Sequence, residues 1–275
     1  MHDLAQDIQR HCNRLRSLLL RYYPAAAVAF GKLTAKIALQ FIASYPSPEA
    51  ALALSYEEFR VFARAKRYPR PKLLPGCFER LQAGHIQADR DTVSIYKAQA
   101  PLEAKLLLHL LEQKELALGE LQALFEPHPD RHIYASLPGA GELLAPALLA
   151  MLGDDRGRFP SKASLQALAG TCPVTEQSGK RKVVKFRHAC DHDARTLAQE
   201  WALASTRKSG WASAYYQQSR ERGHSKSHAL RCLANRWLAV LWALWQRGQA
   251  YDEGYHLATR LQRRRPLLSE LSRPA

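Results

Sequence analysis

The chain has 275 residues, 47% of them apolar and 24% charged, a globular composition that leaves room for two domains and excludes wholesale disorder. Its 40 Lys and Arg against 25 Asp and Glu leave a formal charge of +15, which points to a polyanionic partner because neutralised phosphates release counterions. Scattered cysteines without a C-x-x-C pair, no 18-residue apolar run and no signal-like start exclude a disulfide scaffold, a zinc ribbon, a membrane span and export, so a cytoplasmic protein is expected.

Leu4, Ile8, Leu15, Leu18 and Tyr22 recur at helical spacing, and Pro24 closes that first helix. Short helices follow over residues 33–66: one over Ala35–Tyr45, one started by Ser47-Pro48, and one opened by Ser55-Tyr-Glu-Glu58, a capping-box pattern. Residues 67–76, with Pro69, Pro71, Pro75 and Gly76 among basic side chains, predict a loop. From about Arg90 to Phe125, alternating steps of three and four pick out Val93, Tyr96, Ala100, Glu103, Leu107, Leu110, Lys114, Ala117, Leu121 and Leu124. That is a coiled-coil seam, roughly 50 Å long at the helical rise per residue. An intermolecular coil and a single long core helix both satisfy it, and Pro101 is expected to kink it or mark a join. Glu126-Pro-His-Pro-Asp130 then breaks the pattern and makes the best domain boundary in the chain.

Beyond that boundary the charge changes. Residues 1–130 hold 17 basic and 14 acidic side chains, whereas residues 131–275 hold 23 and 11. Leu137-Pro-Gly-Ala-Gly141 leads into an apolar helix over Leu143–Leu152, Phe159-Pro-Ser161 starts another through Gly170, and helices resume near Asp193–Arg207, Trp211–Arg222 and Ser225–Arg247. Residues 171–192 read as a loop or short hairpin. The fold expected is therefore mainly α: a helical linker region over 1–89, a long coiled-coil helix over 90–126, a helical domain over 131–250 and a basic tail over 251–275. The domain carries a helix-hairpin-helix-like turn and a short basic loop or β-hairpin.

Gly139 and Gly141 stand in a turn whose backbone N–H groups can face a DNA phosphate, or whose glycines simply supply positive φ. The stronger signal is Gln177-Ser-Gly-Lys-Arg-Lys-Val-Val-Lys-Phe-Arg187, with five cations in the eight positions from Lys180 and no acid among them. A nucleophilic serine needs exposure, room for a phosphate and electropositive surroundings, and Ser178 has these in sequence. A basic hairpin that grips phosphate, its serine bonded only to backbone, fits the same residues. His188-Ala-Cys-Asp-His-Asp193 is rich in ligand atoms but matches no common zinc spacing. Asp154-Asp155 with Asp191 and Asp193 would suit a two-metal nuclease and equally a solvated turn. No metal is expected in this chain. Of the tryptophans at 201, 211, 237, 242 and 245, three fall on the apolar last helix, where core packing outweighs base stacking. Arg263-Arg-Arg265 reads as a phosphate-contacting or solvated tail.

Taken in order, Leu137-Pro-Gly-x-Gly141, Ala147-Leu-Leu-Ala150, Gly153-Asp154, Arg158-Phe-Pro-Ser161, Leu168-Ala-Gly170, Pro173, Gln177-Ser-Gly179, Arg195 and a closing helix resemble a known domain. It is the C-terminal domain of the insertion-sequence transposases named for the 110, 116 and 902 elements. Asn13-Arg-Leu-x-x-Leu-Leu19 and Tyr45-Pro-x-Pro-Glu49 look like that family's linker and coil region. The resemblance implies a DNA recombinase in which Ser178 attacks a phosphodiester and forms a phosphoserine link. Lys180, Arg181, Lys182, Lys185 and Arg187 would hold the strand, with Gly139, Gly141 and Arg195 as further DNA-binding positions. It also implies DNA and a structured guide RNA as partners, and a homo-oligomer formed through the coil. Magnesium is expected only with an acidic ribonuclease-H-like domain that would precede this sequence, so an N-terminally truncated transposase is expected. Without that domain the chain would be an inert nucleic-acid-binding remnant or a regulator of a full-length transposase. The sequence departs from the family at Ala189-Cys-Asp-His192, where a glycine and a small polar residue are usual.

Overall fold

A computed structural model describes residues 2–83, 88–179 and 181–259. The chain is mainly α and forms two compact units, Met1–Gly119 and Glu120–Ala275.

The first unit contains α1 (His2–Tyr22), α2 (Pro24–Val28), α3 (Lys36–Ser44), α4 (Pro48–Leu52), α5 (Tyr56–Ala65), α6 (Leu74–Gln82) and most of α7 (Arg90–Phe125). Ser47 Oγ accepts the Ala50 N–H to cap α4, and Ser55 and Glu58 exchange both bonds of a capping box on α5; each cap contributes about 1 kcal/mol. Segment 67–76 is only partly a loop. Pro71–Leu73 makes one 3₁₀ turn and Pro75 lies in the first turn of α6, a position where the missing N–H is no loss and the fixed φ suits a helix. Leu15, Leu19, Tyr22, Tyr23, Leu39, Phe41, Ile42 and Phe59 fill the core.

Helix α7 runs unbroken through Pro101. The first part of its seam packs within its own unit: Ala100, Glu103 and Leu107 are buried, and Val93, Tyr96 and Leu110 lie against the core. Glu103, one of the two polar interruptions, is 8% exposed because its carboxylate meets Arg14 Nε at 2.9 Å and His11 Nδ1 at 3.0 Å. A different set, Ile95, Leu102, Leu106 and Leu116, is exposed. At 100° per residue these fall within a stripe about 80° wide.

The second unit contains α8 (Arg131–Ala135), α9 (Gly141–Leu152), α10 (Lys162–Leu168), the antiparallel hairpin of β1 (Val174–Ser178) and β2 (Arg181–Lys185), α11 (His192–Ser205), α12 (Gly210–Glu221) and α13 (Lys226–Arg247). Helix α13 carries the core: Leu233, Ala234, Trp237, Leu238, Leu241 and Trp245 are all fully buried. The rings of Trp201 and Trp211 lie tilted against that of Trp237, at 5.0 and 4.6 Å between centres. Their indole N–H groups are satisfied inside the protein, Trp201 by Pro138 O, Trp237 by Ser205 Oγ and Trp242 by Phe159 O. These tryptophans are structural, as buried indoles with partners are expected to be.

Residues 251–256, expected as the start of a tail, pack back onto the unit. Tyr251 N–H donates to Ser136 Oγ, Tyr251 OH accepts from Trp211, and Glu253 accepts from Ser209 Oγ and Gly210 N–H at the start of α12. Arg263–Arg265 lie outside the described residues. No helix among the described residues is long and apolar enough to cross a membrane.

Candidate nucleic-acid interface around the serine hairpin

The hairpin is built by register. Val174 pairs with Lys185, Thr175 with Val184, Glu176 with Val183, Gln177 with Lys182, and Ser178 with Arg181. Two positions separate the paired Ser178 and Arg181, the first of them Gly179. Hairpin turns that match strand twist need positive φ at their first central residue, and Gly179 has φ +56°. Lys180 lies outside the described residues.

Directly opposed residues share a face of a two-stranded sheet. Ser178 therefore shares its face with Arg181, Glu176, Val183 and Lys185, whereas Lys182 and Gln177 lie on the other. Lys185 Nζ is held by Glu176 at 2.6 Å, which leaves Arg181 as the unpaired cation beside the serine among the described residues. Ser178 is exposed, and its hydroxyl has no hydrogen-bond partner among the described residues.

Arg195 sits at the base of the hairpin. Its Nη2 donates to Arg187 O at 2.6 Å and more weakly to His188 O, and its guanidinium lies 4.7 Å from the Phe186 ring centre. Arg231 of α13 covers the same ring at 4.5 Å. Two guanidiniums thus lie against Phe186, a cation–π arrangement at the exit of β2. Gly170 makes room for it: a Cβ there would stand 2.5 Å from Arg195 Nη2 and 2.8 Å from Cys190 Sγ. In the sequence Phe186 and Gly170 stand only as members of longer motifs and Arg231 does not stand out at all, because a cation–π contact between distant segments has no local spacing. Arg187 is half-buried, and its Nε has no partner among the described residues.

The two turn glycines differ. Gly139 has φ +78°, and a Cβ on it would lie 2.6–2.8 Å from the Ala204 and Ser205 backbone of α11. Gly141 has φ +55° and nothing within 4 Å of its would-be Cβ. One glycine permits close helix packing; the other faces open space.

Residues 131–217 match the family model described as Transposase IS116/IS110/IS902 family. That stretch carries the domain of this family. A Streptomyces coelicolor protein named "Mini-circle putative transposase for IS117" is 33% identical over 94% of this chain and 64% of its own length. The uncharacterized 43.6 kDa protein of insertion element IS110, from the same species, is 29% identical over 91% of this chain and 62% of its own. The uncharacterized 42 kDa protein of IS900 from Mycobacterium paratuberculosis is 28% identical over 84% and 60%. The chain thus spans about three fifths of the length of the curated relatives it matches. The family match covers the glycine turn, the hairpin, α11 and part of α12.

Neither aspartate-rich motif of this transposase domain forms the metal site its sequence offers. Asp191 accepts the N–H groups of Asp193 and Ala194 as the cap of α11, and Asp155 accepts that of Gly157. Asp154 instead joins His128 and Asp130, the one cluster of metal-ligand atoms among the described residues, whose atoms lie within 4.8 Å of one another. That cluster does not fit a divalent cation. His128 Nδ1 accepts the Asp130 N–H at 3.1 Å, so its proton sits on Nε2 and is donated to Asp154 at 3.0 Å. Both Asp130 oxygens are engaged by Arg156 at 2.7 Å.

The Arg156 hydrogen bond holds the Asp130 carboxyl below its ordinary range. Asp130→Asn is expected to destabilise the protein by about 1.5–3 kcal/mol at neutral pH, the usual contribution of a hydrogen bond to a charged group. The sign follows from linkage: a depressed carboxyl stabilises above its unfolded pKa of about 3.9 and loses that contribution as pH falls through the folded value. In urea titrations the gap between wild type and variant should narrow below about pH 4.

Proposed function

We propose that this chain supplies the strand-joining serine of a DNA transposase, with Ser178 as the nucleophile. The observation that supports it is the position of an exposed serine, unpartnered among the described residues, at the tip of a basic hairpin and directly opposite Arg181. In the step proposed, Ser178 Oγ attacks a DNA phosphorus. The Oγ–P bond forms as one P–O bond to deoxyribose breaks. The serine proton is lost and the departing sugar oxygen gains one. One phosphodiester replaces another, so no high-energy cofactor is required. Arg181, a planar fork of donors, suits the charge that builds on the phosphoryl oxygens.

The other cations, Lys180, Lys182, Lys185 and Arg187, would grip the flanking strand, Lys182 from the opposite face and Lys185 by exchanging Glu176 for phosphate. Arg195 acts through the hairpin, as a positioning residue. A two-stranded ribbon exposed on both faces is marginal by itself, so docking on DNA would order this one. A structured guide RNA belongs to the same reading as a second partner. Magnesium belongs only with an acidic domain, because the donor cluster here does not fit it.

The test is an SDS-stable adduct with nicked and intact duplex oligonucleotides, alone and with the acidic domain of a relative supplied in trans. Wild type should form it and Ser178→Ala should not. No described group hydrogen-bonds Ser178 Oγ to take its proton, which favours a second reading in which this chain only binds nucleic acid. Equal, salt-sensitive binding by both proteins, with no adduct from either under any condition, would select it.

Pairing of two copies is proposed through the exposed stripe Ile95, Leu102, Leu106 and Leu116, not through the seam that meets the core. Sedimentation should show a dimer that Leu102→Glu with Leu116→Glu converts to monomer without loss of helix. A dimer unaffected by that double change would exclude the stripe.

A further inference from the structure

The first unit holds a second basic surface. Between Glu58 and Glu79 the chain carries Arg60, Arg64, Lys66, Arg67, Arg70 and Lys72 and no acid. The segment folds around an open cleft of about 450 Å³, lined by Tyr56, Arg60, Arg64, Arg67, Tyr68 and Pro71 among others. Arg64 and Arg67 are exposed and pair with no carboxylate among the described residues. Arg60 meets only Glu57, one turn back on α5, at 2.6 Å. Tyr56 and Tyr68 are half-buried, and the Tyr56 ring rests 5.5 Å from that of Phe78. Guanidiniums with no acid to satisfy them thus share one cleft with two anchored phenol rings.

Arg67 is the residue that singles this cleft out. Helix α5 ends in a Schellman motif: the Arg67 N–H reaches Arg64 O and the Tyr68 N–H reaches Ala63 O, both at 3.0 Å, with Arg67 at φ +52°. Glycine is the usual occupant of that position because a Cβ is strained there. Among the described residues Arg67 is the only non-glycine with positive φ. The turn would form more readily with glycine, so what the arginine adds is its side chain on the cleft.

We infer that this cleft binds single-stranded polynucleotide, with Arg64 and Arg67 on the phosphates and Tyr56 and Tyr68 against the bases. Phosphate follows from unpaired, exposed guanidiniums. A single strand follows from the tyrosines, since bases are free to stack on aromatic rings only when they are not stacked in a duplex. The volume lies in the ~300–1,000 Å³ range of small-ligand pockets, enough for a nucleotide. The inference does not depend on Ser178 being the nucleophile.

Fluorescence anisotropy with the full chain tests it, using labelled oligothymidylate, oligouridylate and a mixed-sequence duplex as probes. Arg67→Gly should keep or raise Tm, because glycine relieves the left-handed strain. It should also weaken single-strand binding several-fold, reduce the salt slope by about 1, and leave duplex binding as in wild type. Arg64→Gln should weaken single-strand binding in the same way. Lys105→Gln, an equal change of charge on exposed α7, should have no such effect. The tighter of the two homopolymers tells RNA from DNA as the source. Wild-type single-strand affinity and slope in Arg67→Gly and Arg64→Gln would overturn the inference, as would equal losses in Lys105→Gln or the absence of single-strand binding by wild type. If Lys182→Gln alone weakens single-strand binding, the hairpin is the site; the cleft is then excluded and the proposed function stands.

Discussion

Ser178→Ala is expected to remove the covalent protein–DNA adduct entirely while leaving DNA affinity within about twofold of wild type. The reasoning is that the serine hydroxyl is uncharged, so removing it releases no phosphate contact and leaves the salt slope unchanged. The adduct, by contrast, needs the Oγ that the alanine lacks if Ser178 is the nucleophile. Arg181→Gln should behave differently. It removes the cation on the serine's own face of the hairpin that no carboxylate holds among the described residues, so adduct formation should fall by about 10²–10³, the loss typical of one group that stabilises a developing oxyanion. Its salt slope should fall by about 1. Lys182→Gln, on the opposite face, should lower the slope by a similar amount with a much smaller loss of adduct. An alanine variant that forms adduct in wild-type yield would end the assignment of Ser178. Equal losses in Arg181→Gln and Lys182→Gln would show that the face does not matter.

Local signals in the sequence carried far into the structure, and signals between distant segments did not. Ser47, Ser55 and Glu58 cap helices where their spacing places them, because a cap is made by residues three apart. The limits of α7 were legible for the same reason, from periodicity and the Pro-rich break. What would cover its seam was not, since an intermolecular coil and a core of the same unit both satisfied it. Contact with α1, where Arg14 and His11 meet Glu103, puts the first part of the seam against its own unit and leaves the stripe through Leu102 and Leu116 exposed. Likewise the basic run located the hairpin but could not divide its cations between two faces until the pairing of Ser178 with Arg181 was known. His188–Asp193 looked like ligand chemistry because cap residues and metal ligands draw on the same side chains. Arg67 was hidden in a segment whose prolines promised a loop.

The two glycines of the Leu137–Gly141 turn should separate fold from binding when each is changed to alanine. At Gly139 the new Cβ meets two strains at once. Its φ of +78° is unfavourable to any side chain, by roughly 1–2 kcal/mol. Its nearest neighbours are main-chain atoms of Ala204 and Ser205 at 2.6–2.8 Å, which cannot swing aside as a side chain would. Opening that contact shifts α11, and overpacking of this kind costs about 1–3 kcal/mol more. Gly139→Ala is therefore expected to lose about 3 kcal/mol or more, a class of effect reserved for buried strain and clash. Trp201 would move with it, because its indole bonds Pro138 O in the same turn, so the loss should appear in tryptophan fluorescence as well as in Tm. Gly141→Ala carries only the left-handed strain, about 1 kcal/mol, since nothing lies within 4 Å. If the turn meets a DNA phosphate through its N–H groups, the Gly141 methyl would stand between backbone and strand and weaken binding several-fold in a protein of nearly normal stability. Wild-type affinity in Gly141→Ala would mean that the turn serves packing alone, and that DNA is held by the hairpin.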